Sequence, residues 1–132
     1  MRLWHKDMIS KLPRMQLLGQ HRECTALRGK GWGKRHSVVN YVFKHPYSML
    51  YSYHEKIMHE MEVRGYHVAP EWHDIHYRGK HIGFDTSDFT GQLSSADYPE
   101  HDDRYLKECI SNLYRKGIDL HMNGSVIINS YV

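Results

Sequence analysis

The sequence predicts a mainly α-helical fold: a compact single-domain helical bundle with one long irregular insert. Three observations carry that reading. Apolar residues recur at helical spacing in three stretches, within residues 12–29, 47–65 and 98–117. Each stretch closes on a glycine, Gly29, Gly65 or Gly117, where a helix commonly stops. The 132 residues are enough to bury a real core in one domain.

The first helix is expected over Leu12-Pro13-Arg14 and MQLLGQHRECTALRG, with Pro13 in its first turn and Gly29 as its stop. Leu17, Leu18, His21, Cys24 and Thr25 would face the core. Gln16, Gly19, Gln20, Glu23 and Ala26 fall on another face. GKGWGKR, residues 29–35, reads as a basic glycine-rich loop without the spacing of a nucleotide-phosphate loop. A short helix over SVVNYVFK follows and ends at His45-Pro46. The longer helix YSMLYSYHEKIMHEMEVRG offers Leu50, Ile57, Met58 and Met61 to the core, with Gly65 as its cap. Residues 66–98 are rich in His, Gly, Asp and aromatics and keep no period, which predicts loops with at most a short hairpin. Tyr98-Pro99-Glu100 opens the last helix, DDRYLKECISNLYRKG, with Leu106, Cys109, Ile110 and Leu113 as its apolar stripe. The tail SVIINSYV suits a short strand or an extended segment.

Composition narrows the function. No apolar run nears the roughly 18 residues of a membrane span, so no membrane partner is expected. The opening MRLWHKDM lacks the apolar core of a secretory signal. Two cysteines, Cys24 and Cys109, are too few for a disulfide scaffold and fit small core residues of a reduced, cytoplasmic protein. The net charge of +3 hides an asymmetry: residues 1–36 carry +7 and the remainder −4. A basic first quarter on an acidic body points to a polyanion bound on one side; a merely solvated charged face is the plain alternative.

The residues that suggest chemistry are the amino terminus and His21-Arg22-Glu23. A free α-amine has a pKa of about 7.7–8.0, so part of it is neutral and nucleophilic at pH 7. A carboxylate at Glu23 could stabilise positive charge that develops on a substrate and act as a proton acceptor. Arg22 would keep that carboxylate ionised and could bind phosphate. Gly19, one turn earlier on the same face, would leave room for a sugar-phosphate. The opposing reading of Glu23 is a solvent-facing helical glutamate.

MRLWHKDMISKLPRMQLLGQHREC resembles the start of the pyrimidine-dimer DNA glycosylase family, of the phage endonuclease V type. The matching features are the Arg22-Glu23 pair on a helix that begins some dozen residues in, and Arg2 near the nucleophilic terminus. HEMEVRGYHV, residues 59–68, is also similar to a family helix that ends in Gly before an aromatic residue. The resemblance implies a mainly helical DNA glycosylase with abasic-site lyase activity on ultraviolet-induced pyrimidine dimers. It implies no metal or organic cofactor, and damaged double-stranded DNA as partner. The amine would attack C1′ to form an imine, and β-elimination would cleave the strand. Met1 and Glu23 are then the catalytic pair, since Arg at position 2 disfavours removal of the methionine. Where the family has Arg three residues after the glutamate, this chain has Ala26, and Arg28 is the candidate replacement.

Arg2, Arg22, Arg28, Lys30, Lys34, Arg35, Arg115 and Lys116 are the expected DNA contacts, each adding salt-dependent affinity without sequence preference. Trp32 could stack on a base, or fold back on the core. A monomer associated with the nucleoid when bound is the expected state. Two other functions fit the residues less well. One is a non-catalytic nucleic-acid-binding module. The other is a metal-dependent nuclease built on His73, Asp74, His76 and His81, although these lack the spacing of a helical two-histidine zinc site.

Overall fold

Helix α1 spans Arg14–Arg28 and α2 spans Tyr47–Val63; the two pack along each other. The computed structural model describes residues 2–35, 39–86 and 96–120. Pro13 stands just outside α1 as its cap rather than in its first turn. Proline suits either place, because the first amides of a helix have no partner within it. The other end closes on Gly29, whose N–H returns to Thr25 O at 3.0 Å. A side chain there would come within 2.9 Å of Arg78 O, so the glycine lets the 78–79 backbone lie against the helix end.

Leu17, Cys24 and Leu27 on α1 meet Leu50, Ile57, Met58 and Met61 on α2, all fully or almost fully buried. Each such side chain contributes on the order of 1.5–3 kcal/mol by leaving water. Gly65, at φ +89°, turns the chain out of α2 in a conformation that other residues adopt only with strain. Before α1, a 3-10 turn over Lys6–Lys11 buries Met8 and Ile9 and packs on α2.

Helix α3, Asp103–Arg115, is the third element. The Asp102 carboxylate accepts from Tyr105 N–H at 2.8 Å and so caps its start. Its buried stripe is Leu106, Cys109, Ile110 and Leu113, as its periodicity predicts. It docks on the N-terminal segment through Tyr105, Glu108 and Cys109. Cys24 and Cys109 are both buried free thiols.

The described part of the expected SVVNYVFK helix is a 3-10 turn, Asn40–Lys44, ending ahead of Pro46; residues 36–38 lie outside the described residues. The described part of the irregular insert holds a 3-10 turn, Pro70–His73, and one antiparallel bridge between Tyr77 and Phe84. The tail SVIINSYV lies outside the described residues. Among the described residues no helix is long and apolar enough to cross a membrane.

Candidate active site

The first residues after the terminus are stitched to all three helices. Gln20, near the middle of α1, is almost fully buried and carries most of the load. Its side-chain oxygen accepts from Trp4 N–H at 2.6 Å, and its amide nitrogen donates to Arg2 O at 2.8 Å. The Tyr53 hydroxyl on α2 lies 2.6 Å from Trp4 O and 2.8 Å from the Gln20 oxygen, its one proton shared between them. From α3, the Tyr105 hydroxyl donates to Leu3 O. Three successive residues, Arg2 to Trp4, therefore have backbone groups held by side chains from three helices.

The same Gln20 amide donates to Glu23 Oε2 at 2.9 Å. One primary amide thus joins the Arg2 carbonyl to the Glu23 carboxylate. Glu23 is half-buried, and burial pushes its pKa above the ordinary carboxylate range; positive charge at the amino terminus, Arg22 and Lys116 pulls the other way. Beside it the helix is open: a side chain added at Gly19 would meet only the tip of Arg22, at 3.6 Å. Lys116, just past α3, lies over the Trp4 ring at 5.6 Å from its centroid. A carboxylate, the pinned Arg2–Trp4 backbone and positive charge thus converge on one open edge of α1.

The family model for pyrimidine dimer DNA glycosylase matches residues 1–74. The chain belongs to that family. The match takes in the N-terminal segment, α1 and α2, and therefore Gln20, Glu23 and Tyr53. No curated protein and no solved structure gives a significant match.

In this glycosylase the basic residues expected at DNA divide into two groups. Arg22, Lys30, Lys34, Arg35, Arg115 and Lys116 are exposed. Arg2 is largely covered, its guanidinium 3.6 Å from Glu108 and against the Trp4 and Tyr105 rings. Arg28 corrects the expectation. It is fully buried and donates to the Tyr47 hydroxyl, His54 Nδ1 and the carbonyls of Trp72, Asp74 and Tyr77, at 2.9–3.2 Å. It lies between the Tyr51 and Trp72 rings, about 5 Å from each. Its donors are spent inside the protein, where it fastens the insert to the helix pair, and it has none left for a phosphate.

Trp32 folds back, edge-on to Phe43 and Tyr47. Two histidines of the insert are also spoken for. His73 pairs with Glu55 and Glu62, and His76 with Asp74. Among the described residues no three His, Cys, Asp or Glu side chains gather as a metal site would require.

Met1 lies outside the described residues. Gln20, Tyr53 and Tyr105 were absent from the expected site. Periodicity groups Gln20 with Glu23 on a face other than the core stripe, and the structure buries Gln20 while leaving Glu23 half-buried. Nothing in the local sequence marks Tyr53 or Tyr105, which reach their partners across 49 and 102 residues.

Proposed function

We propose that this pyrimidine-dimer glycosylase works through its own amino-terminal amine and is also an abasic-site lyase. The observation that supports this most directly is the Gln20 amide bonded to both Arg2 O and Glu23 Oε2. Met1 directly precedes Arg2, and consecutive Cα atoms are about 3.8 Å apart. The amine is therefore tethered within one residue of the carboxylate's own hydrogen-bond partner.

The neutral amine attacks C1′ of the damaged nucleotide, and the pyrimidine leaves with the electrons of the C1′–N bond. Glu23, as a carboxylate, stabilises the positive charge that develops on the sugar. Loss of the amine protons and opening of the ring give an imine. Glu23 then takes the C2′ proton, and β-elimination expels the 3′ phosphate. Arg2, Arg22, Lys30, Lys34, Arg35, Arg115 and Lys116 would hold the backbone, chiefly through charge. No metal takes part in this route.

Borohydride reduction in the presence of a dimer-containing duplex tests it. A covalent protein–DNA adduct is expected, unaffected by EDTA and lost on acetylating the α-amine or on Glu23→Gln. Strand cleavage at dimers without any trapped adduct would overturn the imine route. Salt-sensitive binding without cleavage, indifferent to Glu23→Gln, would favour the binding-module reading instead.

A further inference from the structure

Beneath the other edge of α1 runs a buried chain of nitrogen atoms. Arg28 Nη1 lies 2.9 Å from His54 Nδ1, and His54 Nε2 lies 2.8 Å from His21 Nδ1. The proton positions along it follow from donor chemistry. A guanidinium only donates, so His54 Nδ1 accepts and carries no proton. The His54 proton then sits on Nε2 and is donated to His21 Nδ1. His21 Nδ1 must accept, which leaves the His21 proton on Nε2, on the far side of its ring. His54 is fully buried and His21 half-buried, and burial together with the Arg28 charge favours the neutral form of both. The other charges acting here are Arg22 on His21 and His73 on His54.

No described residue takes the His21 Nε2–H. Among the described residues the buried polar side-chain atoms without a partner are Tyr98 Oη and Asn112 Oδ1, so this N–H is accessible. The surface beside it suits an anion. Thr25, one turn along α1, lines an open groove of about 270 Å³ whose other walls include Lys30, Lys80 and His81 and no Asp or Glu. His21 and Glu23 are about 200° apart around the helix, so they border opposite edges of the open face that carries Arg22 and Ala26.

We infer that His21 is a fixed hydrogen-bond donor to a DNA backbone phosphate, its Nε2–H held outward by the buried Arg28–His54 pair. This rests on the chain acting on DNA. The carboxylate edge of α1 carries the chemistry, and the histidine edge grips the backbone next to it. His54 and Arg28 are positioning residues: they touch no DNA but decide which ring nitrogen of His21 bears the proton.

The two ring nitrogens can be replaced separately. Asparagine keeps an acceptor near the Nδ1 position and loses the outward donor. Glutamine carries an N–H near the Nε2 position. The probe is a duplex bearing one tetrahydrofuran abasic analogue, which has no C1′ hydroxyl and forms no imine, so binding is read apart from catalysis. His21→Asn should weaken binding about tenfold, the loss expected for one charge-assisted hydrogen bond. His21→Gln should restore most of it. In the unaltered protein at pH 7, nitrogen NMR should show His21 protonated at Nε2 and bare at Nδ1, which needs no variant to fold. A proton on Nδ1, an Asn variant that binds like the parent, or a Gln variant as weak as Asn would each overturn the inference. Failure of the imine reading shows separately, as a protein whose binding depends on His21 but that never traps on a dimer duplex.

Discussion

Two polar networks are buried against α1, and they are built on different principles. On one edge Gln20 joins Tyr53, Trp4, Arg2 and Glu23 through neutral groups, with the single charge at the rim. On the other edge Arg28 carries a full charge into the interior and meets it with neutral acceptors and aromatic faces rather than a carboxylate. The first network fixes the Arg2–Trp4 backbone beside Glu23, where the proposed mechanism needs the terminus, and can loosen without stranding a charge. The second fastens the insert to the helix pair, and its parts cannot be removed singly without leaving acceptors bare.

Breaking the two networks should therefore look different. Arg28→Ala removes the donors of three partly buried carbonyls, His54 and the Tyr47 hydroxyl. A loss on the order of 3–5 kcal/mol is expected in urea unfolding. That is a large share of the roughly 5–15 kcal/mol that holds a typical domain. Gln20→Ala should cost about 1–3 kcal/mol through the unpaired Trp4 N–H and Arg2 carbonyl. Its larger effect should be on single-turnover cleavage, falling on the order of a hundredfold as the terminus drifts from Glu23. An activity loss no greater than the stability loss explains would show that the amide bridge does not position the terminus.

Acid should weaken the charged edge together with a third cluster. His54 lies well below its ordinary 6.5, and His101, stacked between His5 and Tyr105, is pushed down to about 3. Burial is the main cause in both. A histidine depressed in the folded state binds its proton more readily unfolded. Its contribution is thus whole above pH 6.5 and declines as pH falls through the window toward 3. Thermal melts from pH 7 to 5 should fall steadily, and His101→Phe should flatten the slope. The half-buried His73, raised by Glu55 and Glu62 against the effect of burial, acts in the opposite sense. The smallest stability change is expected for Glu23→Gln. Burial raises the Glu23 pKa, so its ionised form costs the fold something at pH 7. The variant should melt at or slightly above the parent temperature while losing activity. A clear drop in Tm would mean the carboxylate is structural.

Much of the helical frame was legible locally. Pro13, Gly29, Gly65 and Gly117 bracket helices within a residue or two, and the stripe Leu106-Cys109-Ile110-Leu113 is buried as its spacing requires. Glu23 could be put on an open face beside Gly19 from periodicity alone, and the structure keeps it at that edge. The histidine-rich insert was misleading, because clustering in sequence says nothing about which carboxylates of α2 each histidine will meet.

What the sequence determined by itself, then, was the three long helices, the basic first quarter and the placing of Arg22 beside Glu23 on α1. These depend on interactions within a few residues, which residue type and spacing encode directly. Only the tertiary structure decided which polar residues turn inward. Gln20 and Arg28 share the buried stripe of α1 with Leu17, Cys24 and Leu27, but their polar side chains read as surface residues by type. Burying either becomes favourable only when the chain brings enough partners: carbonyls 44 to 49 residues away for Arg28, and Tyr53 with the N-terminal backbone for Gln20. A lone buried donor is costly and a fully satisfied one is not, so that choice belongs to the assembled fold.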